Sequence, residues 1–158
     1  LGDVYKRQIK HISHLINFGH LHYGENKVQE ALEKWTVPKN ENSLIKLHMV
    51  GKLQTNKVKS AIKIFDYIHS VDNIKLAKKI ASENIKQKKN VKIFIQVNLA
   101  DEEQKSGVSY SKVSELVSLC KSINLDIIGL MCLPPFNEDS EKFFSKLKLY
   151  FLFSYGIN

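Results

Sequence analysis

The sequence predicts an α/β fold built on a parallel sheet. Helical apolar spacing recurs along it. Val28, Ala31, Leu32 and Trp35 fall at i, i+3, i+4 and i+7, and Val58, Ala61, Ile62 and Phe65 repeat the interval. Between such segments lie short runs such as "VKIFIQV", apolar almost without alternation, as strands buried on both faces must be. Strands that alternate with helices make βαβ units, and βαβ units make parallel sheets.

Each element has its local reason. A helix is expected over Ile9–Phe18, stopped by Gly19, and a strand over Leu21–Gly24. The helix Asn26–Trp35 carries the first apolar stripe, and Val37–Ser43, marked by Pro38, reads as a loop. A strand over Leu47–Gly51 leads to the helix Asn56–Phe65, and a strand over Tyr67–Val71 to a helix from Asn73 to Lys88. Asp72 is the natural N-cap of that helix. The strand Val91–Leu99 is followed by a helix over Ser111–Ile123, with Val113, Leu116, Val117 and Cys120 on one face. A strand over Asp126–Leu133 is stopped by Pro134 and Pro135, and a helix over Asp139–Tyr150 follows.

Right-handed crossovers bring the C-terminal ends of all these strands to one edge, where α/β folds hold their ligands. Glu25–Asn26, Gly51 to Asn56, Ser70 to Asp72, Asn98 and Met131 belong to that edge. Asn26 has two readings. An ordinary N-cap explains an Asn at a helix start, and spacing alone favours it; a ligand contact is the other. Glu25 reads as a first-turn carboxylate facing the helix dipole.

Composition bounds the function. At 158 residues the chain is long enough for one domain with a real core, and no apolar run is long enough to span a membrane. Cys120 and Cys132 are too few for a disulfide scaffold and read as buried reduced thiols of a cytoplasmic protein. The net charge of +8 raises the question of nucleic acid, but Arg7 is the only arginine. Phosphate and base readers favour the arginine fork. Scattered lysines mixed with acids read as a solvated surface, so no specific nucleic-acid partner is expected. His11, His14, His20 and His22 lack the partners of a metal site, and no GxSxG, Walker loop or GxGxxG occurs. His48, inside "LHMVG", reads as a core histidine satisfied by hydrogen bonds.

Taken together, "HYGENKVQEALEKW", "LHMVGKLQTNKVK", "FDYIHSVDNIKLAKKI", "IQVNLADEEQKSGV" and "IIGLMCLPP" resemble, in order, the pyridoxal phosphate homeostasis protein family. The resemblance runs from Ile9 to Lys148. It implies a (β/α)8 TIM-type barrel like the N-terminal barrel of alanine racemase. It also implies pyridoxal 5′-phosphate (PLP) held through a lysine of the first strand, and no established catalysis. By the same resemblance Asn26 and Met131 face the cofactor, and His48 and Asn56 line the same mouth. The intact protein is then expected to be a cytoplasmic monomer that supplies PLP to dependent apoenzymes.

The chain also departs from the family pattern. The position due for the Schiff-base lysine falls at Tyr5, beside Lys6, and a one-residue slip turns a strand side chain to the other face. Residues 1–8 therefore read as a non-native, adaptor-like leader, residues 9–148 as a partial PLP-binding barrel, and residues 149–158 as a non-family tail. The expectation is strands two to six of eight, without the lysine strand, the phosphate loop or the arginine that pairs with the pyridine nitrogen. Aldimine formation by such a fragment is not expected. An alanine-racemase-like PLP enzyme and a basic α/β nucleic-acid-binding module are the two alternatives.

Overall fold

The computed structural model describes residues 9–99, 106–135 and 137–155. The α/β expectation holds. Helix α1 (Ile9–Asn17) is followed by β1 (His22–Glu25), α2 (Val28–Glu41), β2 (Lys46–Met49), α3 (Val58–Ile64) and β3 (Tyr67–Val71). Next come α4 (Ile74–Gln87), β4 (Lys92–Asn98), β5 (Val108–Ser109), α5 (Val113–Ser122), β6 (Ile127–Met131) and α6 (Ser140–Tyr155). Every strand pairing among the described residues is parallel; the order is β1-β2-β3-β4, with β6 on β4 and the short β5 at the C-terminal end of β4. Among the described residues no pairing joins β6 back to β1, so the barrel is not closed.

The strands separate two environments by their period of two. Leu47 and Met49 of β2, Ile68 of β3 and Ile93 and Ile95 of β4 are fully buried under the helices, together with Trp35, Ala61, Ile62, Ala77 and Ile80. The alternate residues, His22, His48, His69 and Phe94, line the opposite face. There Gly129 of β6 lies against the Phe94 ring, where an added Cβ would come within 2.9 Å of it.

Several expected boundaries move. The loop expected over Val37–Ser43 is helical as far as Glu41, with Pro38 inside α2. Pro38 opens the last turn, so only the Lys34 carbonyl loses its donor. Contacts beyond the proline hold that turn. The amide of Asn42 donates to the Pro38 carbonyl at 2.9 Å, and Lys39 Nζ donates to the Ile64 carbonyl at 2.9 Å and to Asp66 Oδ2 at 2.5 Å. The cap of α4 is Asn73, whose Oδ1 accepts from the Leu76 amide at 2.9 Å. Asp72, the expected cap, instead accepts from Asn73 Nδ2 at 2.6 Å. The two-residue β5 carries no sequence signal of its own. A 3-10 turn, Thr55–Lys57, precedes α3, and α6 continues past the expected Tyr150. The expected non-native leader lies outside the described residues. No helix among the described residues is long and apolar enough to cross a membrane.

Pro38→Ala restores the missing donor and removes the ring clash, against a modest gain in unfolded-chain entropy. The expected outcome in chemical denaturation is a net stabilisation of roughly 1–2 kcal/mol with an unchanged denaturant slope.

Candidate functional site

The C-terminal edge of β1 and β2 is built around Glu25. Its Oε1 accepts from Trp35 Nε1 and from Lys34 Nζ, both at 2.7 Å. Trp35 is 1% exposed and packs on Tyr23, ring centroids 4.6 Å apart and planes tilted by 38°. The carboxylate thus reaches the middle of α2, not its first turn, and the dipole reading of Glu25 is overturned. It is a part-buried acceptor for an indole N–H that has left water, as such a donor requires.

The cap reading of Asn26 also fails. Lys27 occupies the N-cap position with extended backbone and no side-chain cap bond, and its carbonyl accepts from the Ala31 amide at 3.0 Å. Asn26 stands one residue earlier, exposed, and its side chain makes no hydrogen bond with a described residue. Its backbone is pressed by Gly51, where any Cβ would run into the Asn26 carbonyl. Glycine is therefore required where the β2–α3 loop crosses the β1–α2 loop. Between these loops opens a cleft of about 380 Å³, lined by Asn26, Met49, Leu53 and the lysines 27, 52 and 57.

The other expected site residues disperse over the same edge. Asn56 lies in the 3-10 turn after β2, exposed and outside the cleft lining. Met131 ends β6, half-buried and in register with Gln96. Asn26 and Met131 stand at opposite ends of the strand path, with β2, β3 and β4 between them. His48 is on the inner face, satisfied as a core histidine should be. Its Nε2 meets His22 Nδ1 at 2.9 Å and its Nδ1 meets His69 Nε2 at 2.8 Å. Sequence reasoning missed His22 and His69 as partners. The available signal was their parity: both stand an even number of positions from inward-facing neighbours on their strands. Tyr5, Lys6 and Arg7 lie outside the described residues.

Burial, with the nearby His69 and His22 rings, pulls His48 from its ordinary 6.5 down to about 4, against a smaller upward pull from Asp66. Burial lowers His69 as well. Cys120 and Cys132 are free and buried, as expected, and burial pushes the Cys120 thiol up to about 11. A larger cleft of about 720 Å³ opens at the opposite, N-terminal edge of the sheet, among Lys39, Lys46, Lys63, Asp66, Lys89 and Lys92. Helices α2, α3 and α4 end there, so these lysines complement outward-facing carbonyl ends.

The chain matches the family model for the alanine racemase N-terminal domain over residues 2–150. It is 36% identical over 141 residues to a pyridoxal phosphate homeostasis protein of Aquifex aeolicus, covering 87% of this chain and 61% of that one. A pyridoxal phosphate homeostasis protein of Helicobacter pylori is 36% identical over 139 residues, covering 83% and 60%. The chain therefore spans about three fifths of the length of these relatives. Among solved structures, PipY of Synechococcus elongatus with PLP bound superposes with a TM-score of 0.86 at 25% identity, over 94% of this chain and 70% of that one. An alanine racemase of Clostridium difficile superposes with a TM-score of 0.67 at 14% identity, over 94% and 38%, a likeness of fold.

Two outcomes are expected. Glu25→Ala leaves the buried Trp35 N–H without its acceptor and should cost about 1–3 kcal/mol in denaturant titration. The second concerns acid. Above pH 6.5 His48 is neutral in both states. As pH falls from 6.5 towards 4, the unfolded chain takes a proton that the folded chain refuses, so stability falls with pH. Denaturation midpoints at pH 7 and pH 5 should differ by on the order of 2 kcal/mol through His48. His48→Gln should remove most of that difference.

Proposed function

The chain belongs to the alanine racemase N-terminal domain family, and on that premise we propose that the protein binds PLP and serves intracellular PLP homeostasis without catalysing a reaction. One observation carries the reading. Asn26 sits at the ligand edge of a fold shared by PipY, whose structure has PLP bound, and its amide is spent neither on a helix cap nor on another described residue.

The described residues supply part of what the group needs. PLP supplies an aldehyde carbon and a ring that withdraws electrons, and it arrives as an anion. The lysines 52 and 57 beside Asn26 give the cleft a positive field that draws an anionic ligand in. The Asn26 amide offers a donor and an acceptor in a fixed frame, because Glu25 and Gly51 hold its backbone from either side. Met131 offers an apolar contact from the far end of the sheet, and His48 and Asn56 complete the candidate set, His48 on the inner wall. The non-catalytic reading is supported by the names of the relatives, which are homeostasis proteins. An alanine-racemase-like enzyme would share the fold. Cytoplasmic location, a monomeric state and delivery to PLP-dependent apoenzymes complete the proposal.

Because Lys27 holds the cap, Asn26→Ser and Asn26→Ala should each leave stability within about 0.5 kcal/mol of the parent. Both should weaken PLP binding about tenfold, the equivalent of one lost hydrogen bond of about 1.4 kcal/mol. PLP titration followed by absorbance, in a chain that carries the lysine strand and the phosphate loop, reads both quantities beside thermal melts. Parental PLP affinity in both variants would remove Asn26 from the site.

A further inference from the structure

Three imidazoles on three adjacent strands are joined in a row on the inner face of the sheet. His22 Nδ1 of β1 meets His48 Nε2 of β2 at 2.9 Å, and His48 Nδ1 meets His69 Nε2 of β3 at 2.8 Å. The inner two rings are held flat. His48 stacks on Tyr67 with centroids 4.3 Å apart and planes 7° apart, and His69 stacks on Phe94 at 4.1 Å and 19°. Phe94 is in turn seated against Gly129.

A neutral imidazole carries one N–H and one lone pair, and each ring-to-ring contact needs one hydrogen. Only two arrangements of three neutral rings satisfy both contacts. Either all three rings carry the proton on Nδ1, with His22 donating to His48 and His48 to His69. Or all three carry it on Nε2, and both bonds run the other way. The tautomers are therefore coupled from one end of the row to the other.

We infer that His22, His48 and His69 form a proton relay between solvent and a ligand on the inner face of the sheet. Starting with all protons on Nδ1, a solvent proton adds to Nε2 of the exposed His22. The His22 Nδ1 proton passes to His48 Nε2, the His48 Nδ1 proton passes to His69 Nε2, and the His69 Nδ1 proton leaves to a basic atom of the ligand. All three rings then carry their proton on Nε2, and each is again neutral. The reverse sequence removes a proton from the ligand. The ligand class is one with a nitrogen or oxygen that changes protonation as it binds or leaves. Applied to PLP, this rests on the function proposed above; the relay itself rests on ring geometry. His69 hands the proton to the ligand, whereas His22 and His48 act through it and are positioning residues. Asp66, at the start of β3, acts on His48 electrostatically, and its carboxylate is engaged by Lys39 and the Leu47 amide.

Nitrogen-detected NMR of the histidine rings in the full chain at pH 7 reads each tautomer directly. His22, His48 and His69 should share one tautomer or exchange between the two together, whereas the exposed His14 serves as the uncoupled reference. His22→Gln removes the solvent end of the row, so exchange of the His69 ring proton with water should slow severalfold. His48→Gln should uncouple His22 from His69. Should that variant lose the fold, the His22→Gln measurement at an exposed position still decides. Unlike tautomers at His22 and His48 in the parent would overturn the relay, as would unchanged His69 exchange in His22→Gln. PLP affinity, measured separately by absorbance, distinguishes the two readings. Coupled tautomers without PLP binding defeat the PLP proposal alone, and PLP binding with uncoupled tautomers defeats the relay alone.

Discussion

The Glu25 carboxylate is the constraint on which the ligand edge depends. It is the last residue of β1, yet it accepts hydrogen bonds from two residues far into α2. A buried indole N–H must find an acceptor, and a carboxylate leaving water must find donors. One pair of contacts meets both demands and locks the strand end to the helix. With Glu25 turned towards the helix, the period of two sends Gly24 and Asn26 the other way. The helix then starts at Val28 from a lysine whose side chain makes no capping bond. The chain forgoes the roughly 1 kcal/mol that a capping side chain would contribute, and Asn26 keeps its amide free. Local preference yields here to the packing of the strand end.

The same alternation explains the inner face. Parallel strands put residues of like parity on one face, and here the inward histidines of three neighbouring strands meet diagonally, His48 being level with Gly24 and Tyr67. The helix-covered face of those strands is dry and aliphatic; the inner face is aromatic and polar. Desolvation keeps the middle ring neutral near pH 7, and neutrality is what gives each nitrogen a different role. A charged His48 would donate from both nitrogens and fix the row in one arrangement.

Much of the fold was legible because it is written in period. The buried strands Tyr67–Val71 and Lys92–Asn98 and the stripes of α2, α3 and α5 follow from apolar spacing alone. What was not legible depends on contacts remote in sequence. Pro38 argued for a loop, but Lys39 is tied to Ile64 and Asp66, some twenty-five residues on, and the helix continues. Asp72 and Asn73 are both capping residues, and only the backbone geometry of the turn selects Asn73. The site was half legible. The edge followed from topology, and the candidate residues from the family motifs. The partners of Glu25 and of His48 lie on other elements, and no window of sequence contains them.

The two edges of the sheet carry positive charge for different reasons. At the N-terminal edge lysines stand where helices end, and Lys39 and Asp66 neutralise one another. The charge there answers the carbonyl ends of the fold itself. At the C-terminal edge helices begin, and their N–H ends already favour anions. Lysines at such an edge add to a positive field and do not balance a negative one. Lys27 is offset by Glu30, but Lys52 and Lys57 have no ion pair among the described residues. The smaller cleft beside Asn26, and not the larger one at the other edge, is therefore where an anionic cofactor gains most from the electrostatics of the fold.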